Sequence, residues 1–115
     1  MREASVKNNL LILIAYQDGV ACGYKAGFEQ TARIFYSWIG GVHPKFRKLG
    51  IAKSLLEKQH SLIKEMDYEC VRTHTENAYR NMLILNIKCG FDIIGVFKSD
   101  HYEKQTIMLE KFLAD

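Results

Sequence analysis

Apolar and polar residues fall into blocks along this chain, and the spacing within each block predicts an element. Leu10–Tyr16 is a continuous apolar run of strand length, rich in Ile and Leu. Asp18-Gly19 follows as a hairpin turn signal, and Val20–Phe28 reads as the returning strand, bent at Gly23. Glu29–Arg33 is a short loop. Ile34–Val42 is a third strand, aromatic at Phe35, Tyr36 and Trp38, and Pro44 stops its ladder. From Gly50 to Met66 the period becomes helical. Leu55, Leu56, Ile63 and Met66, joined by Ile51, Ala52 and Leu62, make one stripe, with Glu57, Lys58, Lys64 and Glu65 on the polar side. Glu69–Thr75 is a short strand. Ala78–Lys88 is a second helix with Met82, Leu85 and Cys89 on one face, and Gly90 is its stop signal. Phe91–Phe97 and Gln105–Phe112 are the last two strands.

Three strands, a helix, a strand, a helix and two strands imply an α/β (α+β) domain. The two strand–helix–strand units need right-handed parallel crossovers, so the central sheet is mixed and flanked by helices. At 115 residues the chain is one domain. Composition changes this picture little: 48% of residues are apolar and 25% charged, which supports a modest core and argues against disorder. A net charge of +3 suits a small anionic ligand and falls short of the clustered basic signal of a nucleic-acid binder. Cys22, Cys70 and Cys89 are odd in number, sit in apolar strings and lack metal-ligand spacing, which reads as buried free thiols in a reducing, cytoplasmic setting. No apolar run reaches the ~18 residues of a membrane span, and the residues before Leu10 do not form a signal peptide.

The chemistry concentrates at Arg47-Lys48-Leu49-Gly50-Ile51-Ala52. An apolar strand, a short basic turn and a helix start make an anion site, because the first helical N–H groups lack intrahelical partners and carry the positive end of the macrodipole. Gly50 lets the backbone curl, Ala52 is small enough for close approach, and Arg47 and Lys48 add formal charge. The ligand expected here carries a phosphate or pyrophosphate. The alternative is a solvated helix start, with Lys45 and Lys53 completing the basic cluster.

Two stretches resemble a known family. Val42-x-Pro44-x-Phe46-Arg47-x-x-Gly50-Ile51-Ala52 resembles the acetyl-CoA signature of the GNAT superfamily of N-acetyltransferases, Arg/Gln-x-x-Gly-x-Gly/Ala. Asn81-Met82-Leu83-x-Leu85-Asn86-x-Lys88-Cys89-Gly90-Phe91 resembles the downstream motif of the same family, with Lys88, Gly90 and Phe91 in register. Together they span most of residues 34–97. The resemblance implies a GNAT-like acyl-CoA N-acyltransferase fold with a mostly antiparallel sheet. It implies acetyl-CoA as co-substrate, no metal, and transfer of acetyl to a primary amine of a small molecule, peptide or protein. It assigns the pyrophosphate to the amides of Arg47–Ala52, the pantetheine arm to the strand end at Gly41 and Val42, and further coenzyme contacts to Asn81 and Asn86. Paired Gly40-Gly41 suits a bulge there.

The chain departs from the family where catalysis is concerned. The frequent family Tyr, which can protonate the departing thiolate, falls on Asn86. The family Asn falls on Tyr79, and Asn77 reads instead as a helix N-cap. No Asp or Glu lies on the Ile34–Val42 strand, where the family often keeps a base. His74, with an intrinsic pKa near 6.5, is the candidate base, against water-relayed deprotonation. His43, His60 and His101 read as structural or solvated. Tyr36 and Trp38 share one strand face and are candidates for an acceptor pocket, against a core role.

The family opens with a strand and one or two helices, whereas only Met1–Asn9 precede the first apolar run here. The resemblance therefore implies a domain short of that front end, an open acceptor groove, apolar surface beside it, and a second subunit of a homodimer completing it. The rival reading is a CoA-binding module without catalysis; nucleic-acid binding is a third, weaker one.

Overall fold

A computed structural model of the chain describes residues 9–98 and 105–113. The strands are β1 (Leu11–Gln17), β2 (Val20–Glu29), β3 (Ile34–Val42), β4 (Cys70–Glu76), β5 (Asp92–Lys98) and β6 (Gln105–Phe112); the helices are α1 (Ile51–Glu65) and α2 (Arg80–Lys88). They form one six-stranded sheet in the order β1-β2-β3-β4-β6-β5. Only β3 and β4 pair in parallel; the other neighbours are antiparallel. The mixed, mostly antiparallel sheet expected from the sequence is present, and each expected element lies within two residues of its observed bounds.

Local chemistry explains the joints. Asp18 and Gly19 both hold positive φ, 51° and 81°, as the tight hairpin turn between β1 and β2 requires. Pro44 cannot continue a ladder and starts a single 3-10 turn, Pro44–Phe46, whose Lys45 N–H donates to His43 Nδ1 at 3.2 Å. Gly27 is needed for packing, since a Cβ there would stand 2.4 Å from Phe35 Cε2 and 2.5 Å from the Tyr36 carbonyl oxygen.

Both helices pack on one face of the sheet. Leu56 and Ile63 of α1 meet Phe35, Val71, Phe91, Ile107 and Leu109 in the core, and Leu83 of α2 and its C-cap Cys89 pack against the same cluster. The opposite face carries Ile12, Ile14 and Tyr16 of β1, Tyr24 and Phe28 of β2, and Tyr36 and Trp38 of β3. Much of it is open: Ile12 is 53% exposed and Tyr16 64%.

Four local expectations are corrected. The β3 bulge is at Trp38, not at Gly40-Gly41: Ala26 pairs with Ile39 and Gly27 with Ser37, so Trp38 is the extra residue. Asn77 does not cap α2. Tyr79 holds the N-cap position without a side-chain bond, while Asn77 Nδ2 donates to Gln105 Oε1 at 2.8 Å and ties the loop to β6. Met66 is exposed, and the buried face of α1 carries Gln59 and His60 beside its leucines. The buried residue of α2 is Asn86, and Met82 is exposed. His101 lies outside the described residues.

Candidate functional site

A cleft opens where β3 and β4 part. The two strands pair from Ile34↔Cys70 to Ser37↔Thr73, and Thr73 Oγ1 donates to the Ser37 carbonyl oxygen at 2.9 Å where the pairing ends. Beyond that point β3 runs on to Val42 paired with β2, and β4 runs on to Glu76 paired with β6. The bulge at Trp38 begins where pairing with β4 stops, and a bulge bends its strand. The resulting cleft holds about 990 Å³ between β3, β4 and the starts of α1 and α2. Its β3 wall is a strand edge of low bulk at Gly40 and Gly41, able to take an extended ligand as an added strand.

The loop after β3 ends the cleft in a turn whose unpartnered amides could cradle an anion. Lys48 and Gly50 hold φ of 65° and 79°. Left-handed residues alternating with right-handed ones turn successive N–H groups toward one side. Gly50 is the N-cap of α1 and supplies no side-chain cap. Among the described residues, the amides of Lys48 through Lys53 donate to no carbonyl or side chain; the first helical bond closes at Ser54 N–H to Gly50 O, 3.0 Å. Arg47 Nε donates to the Val42 carbonyl oxygen at 3.4 Å, fixing the loop against the strand end.

The cleft is lined by Gly41, Val42, Arg47, Ala52, Asn81 and Asn86, all expected from the sequence. Lys48, Leu49, Gly50 and Ile51 do not line it; they lie in the loop and helix start between Arg47 and Ala52. Asn86 is only 4% exposed yet lines the cleft, and its carboxamide bonds to no described residue. Its amide atoms are not among the buried unpartnered ones, so the carboxamide is open to a group in the cleft.

His74 is the one described histidine in the lining. Its Nδ1 stands 3.1 Å from the Tyr36 hydroxyl, and the rings meet edge to face at 5.3 Å. Partial burial raises the Tyr36 hydroxyl above its ordinary pKa. Trp38 lines the cleft and Tyr36 does not, though both rings pack against Phe28, at 5.7 and 5.4 Å. His43 is exposed on the 3-10 turn. His60 is buried between α1 and the sheet, its Nδ1 3.2 Å from Lys111 Nζ. Desolvation pushes its imidazole down to about 3, with Lys111 and Lys25 adding to the effect.

Sequence reasoning missed Lys25, Tyr24, Thr73, Tyr79 and Arg80, which also line the cleft. Lys25 had a readable signal: Gly23 and Gly27 flank it at period two, leaving room beside one polar residue on the helix-covered face. The charged side chains of the lining are Lys25, Arg47 and Arg80, and no Asp or Glu is among the lining residues. Such a wall favours an anionic ligand. Among the described residues no cluster of His, Cys, Asp or Glu could hold a metal ion, and no helix is long and apolar enough to cross a membrane.

No protein-family model matches the chain, and no curated protein matches its sequence. Solved structures do match. The ribosomal-protein-S18-alanine N-acetyltransferase of Escherichia coli superposes with a TM-score of 0.85 at 13% identity, over 99% of this chain and 76% of its own. The IAA acetyltransferase of Bacillus cereus gives 0.82 at 24% identity, over 90% and 78%. A GNAT family acetyltransferase from Elizabethkingia anophelis with acetyl-CoA bound gives 0.80 at 20% identity, over 88% and 74%. This chain has the GNAT N-acetyltransferase fold.

Proposed function

Starting from that fold, we propose that the chain is an N-acetyltransferase that moves acetyl from acetyl-CoA to a primary amine of a small molecule, peptide or protein. The observation that carries this reading is a single cleft joining a parted β3 edge to an uncapped helix start. The edge suits the amide-bearing pantetheine arm, and the amides of Lys48–Lys53 with Arg47 suit the pyrophosphate. The walls fit acetyl-CoA in charge and shape, and the lining is free of carboxylates that would repel it.

The residues divide the work as follows. The β3 edge from Trp38 to Val42 orients the thioester, and a backbone N–H near Val42 polarises its carbonyl. Asn86 donates a hydrogen bond toward the sulfur as the bond to carbon breaks. His74 takes the proton from the acceptor amine. For Nε2 to accept it, Nδ1 must carry the ring hydrogen and donate it to the Tyr36 oxygen, so Tyr36 sets the productive tautomer. Trp38 presents its ring to the acceptor at the cleft mouth. The free thiols of Cys22, Cys70 and Cys89 agree with a cytoplasmic setting.

Calorimetric titration with acetyl-CoA tests the binding half. Saturable binding is expected below millimolar ligand, and Gly50→Glu abolishes it by placing bulk and negative charge on the cradle. An amine panel read out as free CoA tests the transfer half. Binding without thiol release on any amine favours the rival reading, a CoA-binding module without catalysis, which the exposed position of His74 and the carboxylate-free lining also support.

We also assign the open sheet face to a second copy of this chain. Ile12, Ile14, Tyr16, Tyr24 and Trp38 form an uncharged patch beside the cleft mouth, each at least 39% exposed. Five such side chains expose roughly 500 Å², the upper range for a monomer's largest apolar patch. An uncharged patch lets a chain of net charge +3 meet itself without apposing like charges. Sedimentation velocity is expected to show a dimer that Ile14→Lys converts to monomer; a monomer at every concentration sinks the assignment.

A further inference from the structure

We propose that the ε-amine of Lys25 is itself an acetyl acceptor, a self-modification site inside the donor cleft. The inference rests on the acetyl-CoA reading of that cleft. Lys25 lies on β2 directly across from Gly40 of the β3 edge. A Cβ built at Gly40 would stand 3.6 Å from Lys25 Cγ, so the lysine stem passes over the position a side chain would fill. Glycine there gives the stem its path, and Lys25 lines the same cleft as Gly41, Val42 and Asn86.

The surroundings leave this amine uncompensated. Among the described residues Lys25 makes no ion pair and no side-chain hydrogen bond. The charged groups facing the cleft with it, Arg47 from the loop and Arg80 from α2, share its sign. On the α1 side stands His60, held neutral by burial, and on the β4 side His74. Desolvation lowers the proton affinity of the Lys25 amine. A lysine placed this way spends more of its time as the neutral nucleophile than one in water does.

The step balances with acetyl-CoA alone. The Lys25 Nζ lone pair forms a bond to the acetyl carbonyl carbon, the carbon–sulfur bond breaks, and sulfur leaves with the electron pair as a thiolate. The surplus proton on nitrogen passes to that thiolate or to water. The products are Nε-acetyl-lysine and free CoA. Proximity inside a cleft is a large advantage over collision at the surface. Acetylation then removes one of the cations that line the donor site.

The test uses the full chain incubated with acetyl-CoA and, in parallel, with acetyl phosphate, which acetylates lysines without occupying a nucleotide cleft. Peptide mass spectrometry locates each addition, and calorimetry with free CoA is run on the same preparations. With acetyl-CoA, Lys25 is expected to be acetylated at least about tenfold faster than the exposed Lys45, Lys58 and Lys64. Excess free CoA should suppress the Lys25 product and leave the surface products unchanged, and acetyl phosphate should show no preference for Lys25. Lys25→Arg, which keeps the charge and removes the nucleophile, should lose the product. CoA binding without acetylation of Lys25, or acetylation of Lys25 no faster than the surface lysines, overturns this inference and leaves the acetyl-CoA reading intact. Absence of CoA binding overturns both.

Discussion

The two faces of the sheet are built on opposite terms. The helix-covered face is closed, and the groups it offers to the proposed donor are held by the fold: backbone amides at Lys48–Lys53, a bare strand edge, and Asn86 buried in α2. The open face offers side chains on a flat sheet: Tyr36, Trp38, His74 and the exposed apolar residues of β1. Backbone groups are fixed by φ and ψ and keep their aim whatever the neighbouring sequence. Side chains on an open face can change without disturbing the core. On the proposed function, the donor side is the fixed half of the molecule and the acceptor side the adaptable half.

The largest effect should come from acid, and it should come from the closed face. The His60 imidazole is held at about 3 against an ordinary 6.5. Between those values the unfolded chain binds a proton that the folded chain refuses, so stability is full above about 6.5 and falls as pH drops. The limiting loss is on the order of 5 kcal/mol. Urea unfolding of the native chain and of His60→Leu at pH 7 and pH 4.5 reads this directly. The native chain should lose about 2.5 kcal/mol more than the variant across that interval. Equal losses would mean that His60 is solvated and the closed face is not closed at that point.

The next contrast sets one face against the other. Gly50→Glu should weaken acetyl-CoA at least about 100-fold, close to 2.7 kcal/mol. Trp38→Ala, on the open face, should leave acetyl-CoA affinity within about threefold and change which amines are accepted. Calorimetry and the amine panel separate the two. If Trp38→Ala weakens acetyl-CoA as much as Gly50→Glu does, the division between a fixed donor half and an adaptable acceptor half is wrong.

That division also explains what could be read from the chain itself. The order and type of every element followed from apolar spacing, and the cradle followed from Gly50 between a strand and a helix, because both are local in sequence. The features that escaped depend on pairing across distance. The bulge at Trp38 is set by the register of β2, and no property of Trp38 or its neighbours announces it. Asn77 satisfied a capping rule locally, but Gln105 lies 28 residues away and claims its side chain. Asn86 and Gln59 were invisible as interior residues because helix faces were assigned by their apolar members. Tyr36 and Trp38 were legible as a pair, while only the structure put His74 against Tyr36.

Gln59 offers a smaller test of the closed face. It is fully buried, and neither its Oε1 nor its Nε2 has a partner among the described residues. Removing an unpaired buried amide without leaving another group orphaned should be favourable. Gln59→Met keeps the length and is expected to raise stability by about 1 kcal/mol in urea unfolding. A loss of similar size would show that Gln59 holds interior water or a ligand, and that the closed face is wetter than its packing suggests.

The smallest expected effect concerns the acceptor side alone. Tyr36→Phe keeps the ring contacts with Phe28 and His74 and deletes the hydroxyl that faces His74 Nδ1 at 3.1 Å. Acetyl-CoA affinity and stability should stay near native, because the hydroxyl touches neither the cradle nor the core. If Tyr36 selects the tautomer in which Nε2 accepts a proton, the variant should lose about threefold in transfer rate, the weight of one partly solvated hydrogen bond. The loss should appear in kcat rather than in the KM for acetyl-CoA. Native transfer at native pH dependence would free His74 from Tyr36 and return proton removal to water. A large loss of acetyl-CoA binding would contradict the separation of the two faces, since a change confined to the open one would then have reached the donor.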